Sequence, residues 1–248
     1  MLDRLTTIAD ACSAALERRF EVAAELAKGA LEASPNCLPA LRVLAWAQLE
    51  LGDDHAPTTF QACLAIDPED ALAHVGQAIW HQQRQDAPAA SAAWTTAWQL
   101  DPQNQDIRRA LVKLTGELPD SMLVEATALL RAERFEEADE LLQRAHAEQP
   151  ATAALARLDA AWGMRDYRRV GELAAAVLAN QPHCVKPVLY LAALEERAGR
   201  TLRSRELLAR AEHADPGLVL FGDLVHRIGL QPAFDLHRAN RGAILAVR

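Results

Sequence analysis

The sequence predicts an all-α protein built as a solenoid of paired helices. Three observations support this: prolines recur about every 34 residues, short amphipathic segments come in pairs between them, and the composition suits closely packed helices. Of the 248 residues, 50% are hydrophobic but only 5% are aromatic, and alanine is abundant. Small, helix-favouring side chains of this kind fit packed helices better than sheets.

Six prolines define the period. They follow one another at intervals of 33, 34, 48, 32 and 34 residues, at Pro35, Pro68, Pro102, Pro150, Pro182 and Pro216. Each is expected to close a helix, because proline lacks the amide donor and clashes with the preceding turn. Helix, turn, helix and proline then form one unit of about 34 residues. The interval of 48 holds such a unit plus one extra helix near 103–116.

The segment 119–150 shows the unit most clearly. Apolar residues spaced three to four apart predict a first helix over 121–132 and a second over 136–148. Glu133 to Phe135 make the turn, and Pro150 is expected to stop the second helix. Two helices of about a dozen residues cannot bury both faces alone, so the unit needs neighbours.

Small residues recur where the two helices of a pair are expected to cross, because larger ones would push the axes beyond the roughly 8–10 Å at which helices pack. In first helices they are Ala11, Ala45, Ala78, Ala126 and Ala192, and in second helices Ala23, Ala56, Ala90, Ala138 and Ser204, followed by Ala30, Cys63, Ala97, Ala145 and Ala211. In the fifth pair Val170 and Val177 take these places, so we expect its helices to sit slightly apart.

With six units in phase over residues 3–217, the sequence resembles the tetratricopeptide repeat (TPR) family. The resemblance implies a right-handed superhelical solenoid of about six TPR-like helix pairs, with the extra helix near 103–116 and a helical C-terminal cap. It also implies that the first helices line a concave groove, in which a segment of another protein lies as a peptide or a helix. The family's clamp for a C-terminal carboxylate is not matched, since the chain has only three lysines.

Three parts follow along the chain. Residues 1–117 hold units one to three and the extra helix, residues 118–217 hold units four to six, and residues 218–248 form the C-terminal helical cap and tail. The extra helix either caps the first three units, as terminal helices do in solenoids, or is an additional helix within an unbroken superhelix.

No catalytic or cofactor motif is present. The sequence lacks a glycine-rich phosphate loop, an HExxH motif, a nucleophile elbow and a zinc-type cysteine spacing, so we expect no enzyme, cofactor or metal. Cys12 and Cys63 are expected to be small packing residues.

The net charge of the protein is −8, which gives no long-range attraction to phosphate and argues against nucleic-acid binding. Without a long apolar run or a signal-peptide start, no membrane insertion and a cytoplasmic location are expected.

Units one to three are predicted to carry the partner-binding groove. Its expected lining is mostly apolar: Leu5, Ile8, Cys12, Arg42, Trp46, Leu49, Val75 and Ile79. Trp46, flanked by Ile8 and Ile79, is the expected anchor, since a large aromatic in a pocket often carries much of the binding energy. The alternative is that Trp46 and Ile79 only pack between neighbouring units.

Charge predicts a second surface. Residues 1–150 hold 12 Lys and Arg against 24 Asp and Glu, whereas residues 151–248 hold 14 against 10. The basic residues cluster at turns, at Arg165, Arg168, Arg169, Arg197, Arg200 and Arg203, with Arg238, Arg241 and Arg248 further on. The first six, here the basic ridge, are expected to meet an acidic protein surface, either on a partner protein or on the N-terminal half of another copy. The alternative is a solvated face without a partner.

Two functions remain in competition. One is a protein-interaction scaffold, either an adaptor or an assembly chaperone, that binds a partner segment in the apolar groove. The other is a structural, self-associating subunit of a larger complex. An enzyme is a distant third.

Overall fold

The computed structural model describes residues 2–147 and 149–237, and over these residues it is helical with no strand. The all-α prediction is confirmed. The chain divides into two compact units, Met1–Leu129 and Leu130–Arg248. Over the described residues, no helix is both long and apolar enough to cross a membrane. The division predicted at residues 117 and 217 stays a prediction.

The first unit consists of consecutive helices that pack in pairs, α1 on α2, α3 on α4 and α5 on α6. The helices are α1 (Leu2–Leu16), α2 (Phe20–Ala33), α3 (Leu38–Leu51), α4 (Ala56–Ile66), α5 (Ala71–Gln83), α6 (Ala87–Leu100) and α7 (Gln105–Thr115). Helix α7 is the predicted extra helix, and it packs on α6. It begins where the Asn104 side chain accepts from the amides of Asp106 and Ile107, and it ends at the left-handed Gly116. Helix α8 (Met122–Arg131) crosses the boundary between the units.

The second unit continues the pairs, with α10 packed on α11 and α12 on α13. Its helices are α9 (Phe135–Ala145), α10 (Pro150–Gly163), α11 (Tyr167–Asn180), α12 (Val185–Arg197), α13 (Thr201–Ala214) and α14 (Gly222–Arg227), with a 3₁₀ turn at Pro216–Leu218 and a final helical stretch over 231–237. The C-terminal segment is therefore helical as far as residue 237. The predicted tail and Arg238, Arg241 and Arg248 lie outside the described residues.

One proline departs from the prediction. The other five each follow a helix end by two residues, whereas Pro150 is the first residue of α10. The prediction that Pro150 stops the preceding helix is wrong, because α9 already ends at Ala145. Proline is tolerated there because the first amides of a helix have no intrahelical acceptor.

Each turn between paired helices contains one residue in the left-handed conformation. These residues are Arg18, Gly52, Gln85, Glu133, Arg165 and Gly199, with φ between 57° and 73°. Their spacings are 34, 33, 48, 32 and 34, so the turns keep the same period as the prolines. Only two of the six are glycine, the residue that adopts this conformation without steric strain.

The alanines predicted at helix crossings are buried. Ala11, Ala45, Ala78, Ala126 and Ala192 in the first helices are all 0% exposed. Glycine allows the same close approach of two helices at two further contacts. An added Cβ would lie 2.1 Å from the ring of Phe60 at Gly76, and 2.4 Å from the ring of Phe135 at Gly163. Close approach of the helices therefore depends on these small side chains.

Candidate partner-binding surface

In the first unit, three alternate helices lie side by side. Helix α3 contacts both α1 and α5, while α2 lies against α1 and α3, and α4 lies against α3 and α5. Helices α1, α3 and α5 are the first helices of their pairs. We call the exposed surface of these three helices the first-helix face.

The eight residues predicted to line the groove differ in their exposure. Leu5 and Cys12 are exposed on α1. Ile8 and Leu49 are only 7% and 3% exposed, so they belong to the core. The other four are half-buried, and they are Arg42, Trp46, Val75 and Ile79. Six of the eight therefore have surface that a partner can reach, and their role in binding stays a prediction.

Trp46 is held by an aromatic contact. Its ring lies edge-on to Phe60, with centroids 5.6 Å apart and planes at 85°, a favourable geometry for two aromatic rings. Ile8 packs in a core cluster at the start of α3, and Ile79 packs against a separate cluster around Trp98. Trp46 thus contributes to packing within its own helix pair, rather than between neighbouring units as the alternative expected, and it still keeps part of its surface accessible.

The only charged residue among the eight is matched by a carboxylate. Arg42 Nε donates to Asp70 Oδ2 at 2.5 Å, and the Asp70 side chain is fully buried. The other Asp70 oxygen, Oδ1, accepts from the amide of Ala73 at 3.1 Å and so caps α5. Arg42 is therefore fixed between two helices, and its charge is compensated within the unit.

Leu72 was missed by sequence reasoning. It lies at the second residue of α5 and is 50% exposed. It takes the same place in the third pair that Leu5, which is 37% exposed, takes in the first. Comparing equivalent positions between units, rather than apolar spacing within one helix, would have found it.

In the second unit, the basic ridge is largely compensated by partners within the unit. Four of its six arginines pair with an acid: Arg168 with Glu172, Arg169 with Asp139, Arg200 with Glu195, and Arg203 with Glu206. Among the described residues, Arg165 and Arg197 have no ion-pair partner, and Arg197 lies 4.3 Å above the ring of Tyr167. A count of charges did not reveal these pairs, although Arg168 with Glu172 and Arg203 with Glu206 have the four- and three-residue spacing of neighbours on one helix. Only the pair of Arg169 with Asp139 joins residues far apart in the sequence.

Asp159 forms a second cluster that sequence reasoning missed. On α10, it accepts from Lys186 Nζ at 2.6 Å and from the Tyr190 hydroxyl at 2.5 Å, both on α12, and from Arg227 on α14 at 3.1 Å. Burial would raise the pKa of Asp159, but Lys186 and Arg227 outweigh it and hold that pKa below its ordinary value. Lys186 is 5% exposed and Tyr190 1%. The cluster joins three helices, and we assign it a structural role.

The cysteines and acids show no metal site in the part of the chain that the structure describes. Cys37, Cys63 and Cys184 are buried free thiols, and burial raises the pKa of Cys63 to about 12, which disfavours the reactive thiolate. Cys12 is exposed, so the prediction that it is a packing residue is wrong, whereas that prediction is confirmed for Cys63.

Similarity to known proteins is limited to fold. No protein-family model matches the sequence, and no curated protein matches it either. Among solved structures, a tetratricopeptide repeat protein from Parabacteroides merdae shares 14% identity at a TM-score of 0.39, over 94% of this chain and 84% of that one. The P58(IPK) TPR domain shares 13% at 0.41, over 96% and 66%. The TPR2AB domain of yeast Sti1, in a complex with pHSP90, shares 16% at 0.39, over 94% and 98%.

Proposed function

We propose that this protein is a protein-interaction scaffold, an adaptor or assembly chaperone, whose first unit binds an apolar segment of a partner on the first-helix face. The observation that supports this most is a set of accessible apolar side chains on adjacent first helices. Leu5 and Leu72 are exposed, and Trp46, Val75 and Ile79 are half-buried. Apolar surface gathered on one face, rather than scattered singly, is typical of interaction sites.

The paired-helix scaffold suits this role. Its first helices are fixed by buried alanines behind them and by the Arg42–Asp70 ion pair between them. A rigid surface lowers the conformational entropy that is lost on binding, so more of the contact energy appears as affinity. A partner with a row of apolar side chains, on a helix or an extended segment, fits such a face.

Site-specific cross-linking tests the proposal. A photoreactive amino acid placed at Leu72 should cross-link to a specific partner in the native cell, which mass spectrometry then identifies. The same amino acid at Val22 is the matched control, because Val22 is also exposed and apolar, at 44%, but lies on the second helix α2. Partner capture from Leu72 and not from Val22 supports the proposal.

Substitution provides the second arm. Leu72→Arg should abolish capture of that partner in a pull-down, whereas Val22→Arg should leave it unchanged and both variants should stay helical by circular dichroism. Equal cross-linking from both positions, or binding that survives Leu72→Arg, would assign the interaction to another surface.

A further inference from the structure

A cavity of about 480 Å³ lies in the second unit, between the N-terminal half of α10 and the C-terminal half of α11, and it is open to solvent beside the exposed Ala176 and Asn180. Pro150, Ala154, Leu173 and Val177 give it an apolar wall. Its volume falls within the range of roughly 300–1,000 Å³ that is typical of small-molecule sites. It is separate from the first-helix face, which belongs to the first unit.

The cavity lies at the one helix pair whose crossing residues are enlarged. Other second helices carry alanine, serine or cysteine where α11 has Val170 and Val177. Val170 is fully buried, Val177 lines the cavity, and α10 and α11 are less closely packed on each other than α5 and α6 are. A larger side chain at a crossing holds two helices further apart, and this leaves space beside it.

One cationic side chain borders this space. Arg157 lines the cavity, and its Nε donates to Asp139 Oδ1 at 2.9 Å. Asp139 Oδ2 also accepts from Arg169 at 2.5 Å, so a single carboxylate is shared by two guanidinium groups. Burial opposes the charged form of Asp139, but its hydrogen bonds from Arg157 and Arg169 keep its pKa below the ordinary value. The group therefore carries a surplus positive charge.

The terminal nitrogens of Arg157 are not engaged by any of the described residues. Among the described residues, neither terminal nitrogen of its guanidinium donates a hydrogen bond, and the side chain is only 19% exposed. No acidic side chain is among the residues that line the cavity. Two parallel N–H groups at the end of a guanidinium match the two oxygens of a carboxylate.

We propose that this cavity binds a small organic acid, with its carboxylate on the terminal nitrogens of Arg157 and its apolar body against Ala154, Leu173 and Val177. The apolar wall removes hydrocarbon from water, and the surplus charge compensates the desolvated carboxylate. The site requires no partner protein and is independent of the first-helix face.

Octanoate is a suitable probe, with octan-1-ol as the uncharged control of equal chain length. Titration of the full chain, followed by calorimetry and by NMR shifts, should show one saturable octanoate site. Octan-1-ol should bind at least about tenfold more weakly, since it cannot accept a charge-assisted pair of hydrogen bonds. Equal affinity of the two probes, or no saturable octanoate binding, would overturn the proposal.

Two neighbouring alanines on α11 offer a matched pair of variants. Ala176 lines the cavity and Ala175 does not, and both are exposed, so either can be enlarged without entering the core. Ala176→Leu should abolish octanoate binding, and Ala175→Leu should leave it within about twofold of the parent. Arg157→Lys keeps the positive charge but loses the planar guanidinium group, so it should weaken octanoate binding at least about fivefold. Octanoate that binds the Ala176→Leu variant as tightly as the parent would also overturn the proposal.

Discussion

At the scale of single residues, the fold depends on glycines whose missing side chains admit an aromatic ring. Gly76 on α5 faces the ring of Phe60 on α4, and Gly163 on α10 faces Phe135 on α9. A helix-interior glycine ordinarily lowers stability relative to alanine by about 1 kcal/mol. Here the close packing of the ring outweighs that cost, because no Cβ fits in the same space.

Gly76→Ala should therefore destabilise the protein by about 1–3 kcal/mol, as expected for overpacking in a core. Gly29→Ala is the matched control. Gly29 also lies inside a helix of the first unit, but an added Cβ there would meet nothing within 4 Å. Gly29→Ala should therefore stabilise the protein by up to about 1 kcal/mol. Urea unfolding measures both, and a change of the same sign in the two variants would contradict this account.

The half-buried carboxyl group of Asp67 makes stability depend on pH. Burial, together with the nearby carboxylates of Glu69 and Asp70, raises the pKa of Asp67 to about 7, against an ordinary value of about 4. The folded protein thus holds a proton that the unfolded chain releases. The stabilisation is fully present below about pH 4 and is lost as the pH rises through about 7.

Asp67→Asn should remove this dependence. The amide oxygen can still accept from the backbone of Glu69, as Asp67 Oδ1 does at 3.1 Å. The variant should be about 1–3 kcal/mol more stable than the parent at pH 8, and this gain should shrink toward pH 4. Thermal unfolding from pH 4 to pH 8 measures the difference, and a gain that does not change with pH would disprove the assignment.

The residues found by sequence and those missed differ in a physical way. Apolar spacing along one helix predicts which side faces inward, and the alanines at the crossings were predicted on this basis. It does not tell which partner on another helix meets a given side chain. Leu49 was therefore assigned to a surface although it is 3% exposed, and the contact of Gly76 with Phe60 was not foreseen.

At the scale of helices, the repeat is maintained by turns that need one left-handed residue each. Glycine supplies this conformation without strain, whereas other L-residues pay about 1–2 kcal/mol. Gly52 and Gly199 satisfy the turn directly. The other four turns use residues with side chains in this conformation: Arg18, Gln85, Glu133 and Arg165. Their backbone strain is offset by the packing of the two helices that each turn joins.

Substitution at equivalent turns should have opposite effects. Gly52→Ala should destabilise by about 1 kcal/mol, while Gln85→Gly should leave stability unchanged or raise it by up to about 1 kcal/mol, because relief of strain exceeds the added chain entropy. Both turns lie in the first unit, so one set of denaturant curves compares them. Destabilisation by Gln85→Gly equal to that by Gly52→Ala would show that side-chain contacts, not backbone strain, govern the turn.

The Asp159 cluster holds α14 against α10 and α12. Removing one partner of a buried ion pair typically costs about 3–5 kcal/mol, so Asp159→Leu should destabilise strongly, because the buried Lys186 loses its carboxylate. Arg227→Ala should cost less than about 1 kcal/mol, since the Arg227 side chain is 62% exposed. Calorimetric unfolding compares the two, and similar losses would contradict the ranking.

At the scale of the whole molecule, charge is distributed unevenly between the units. Residues 1–129 hold 9 Lys and Arg against 18 Asp and Glu, whereas residues 130–248 hold 17 against 16. The sequence predicted this asymmetry, and it also predicted the helix pairs from proline spacing. The count of charges did not show that most ridge arginines pair with acids of the same unit. The pairs of Arg168 and Arg203 have helical spacing and could have been predicted, whereas the pair of Arg169 with Asp139 depends on which helices meet in space.

The salt dependence of partner binding distinguishes the first-helix face from the basic ridge. Binding to the face should change less than about threefold between about 50 and 300 mM NaCl, because its apolar contacts are not screened and Arg42 is already paired with Asp70. Trp46→Ala should weaken binding of the partner captured through Leu72 by about 2 kcal/mol or more. Arg165→Glu should leave that binding free energy unchanged. The opposite result would assign the partner to the basic ridge, where steering by exposed charge dominates. In that case the association rate would fall steeply with added salt and in the Arg165→Glu variant, but not in the Trp46→Ala variant.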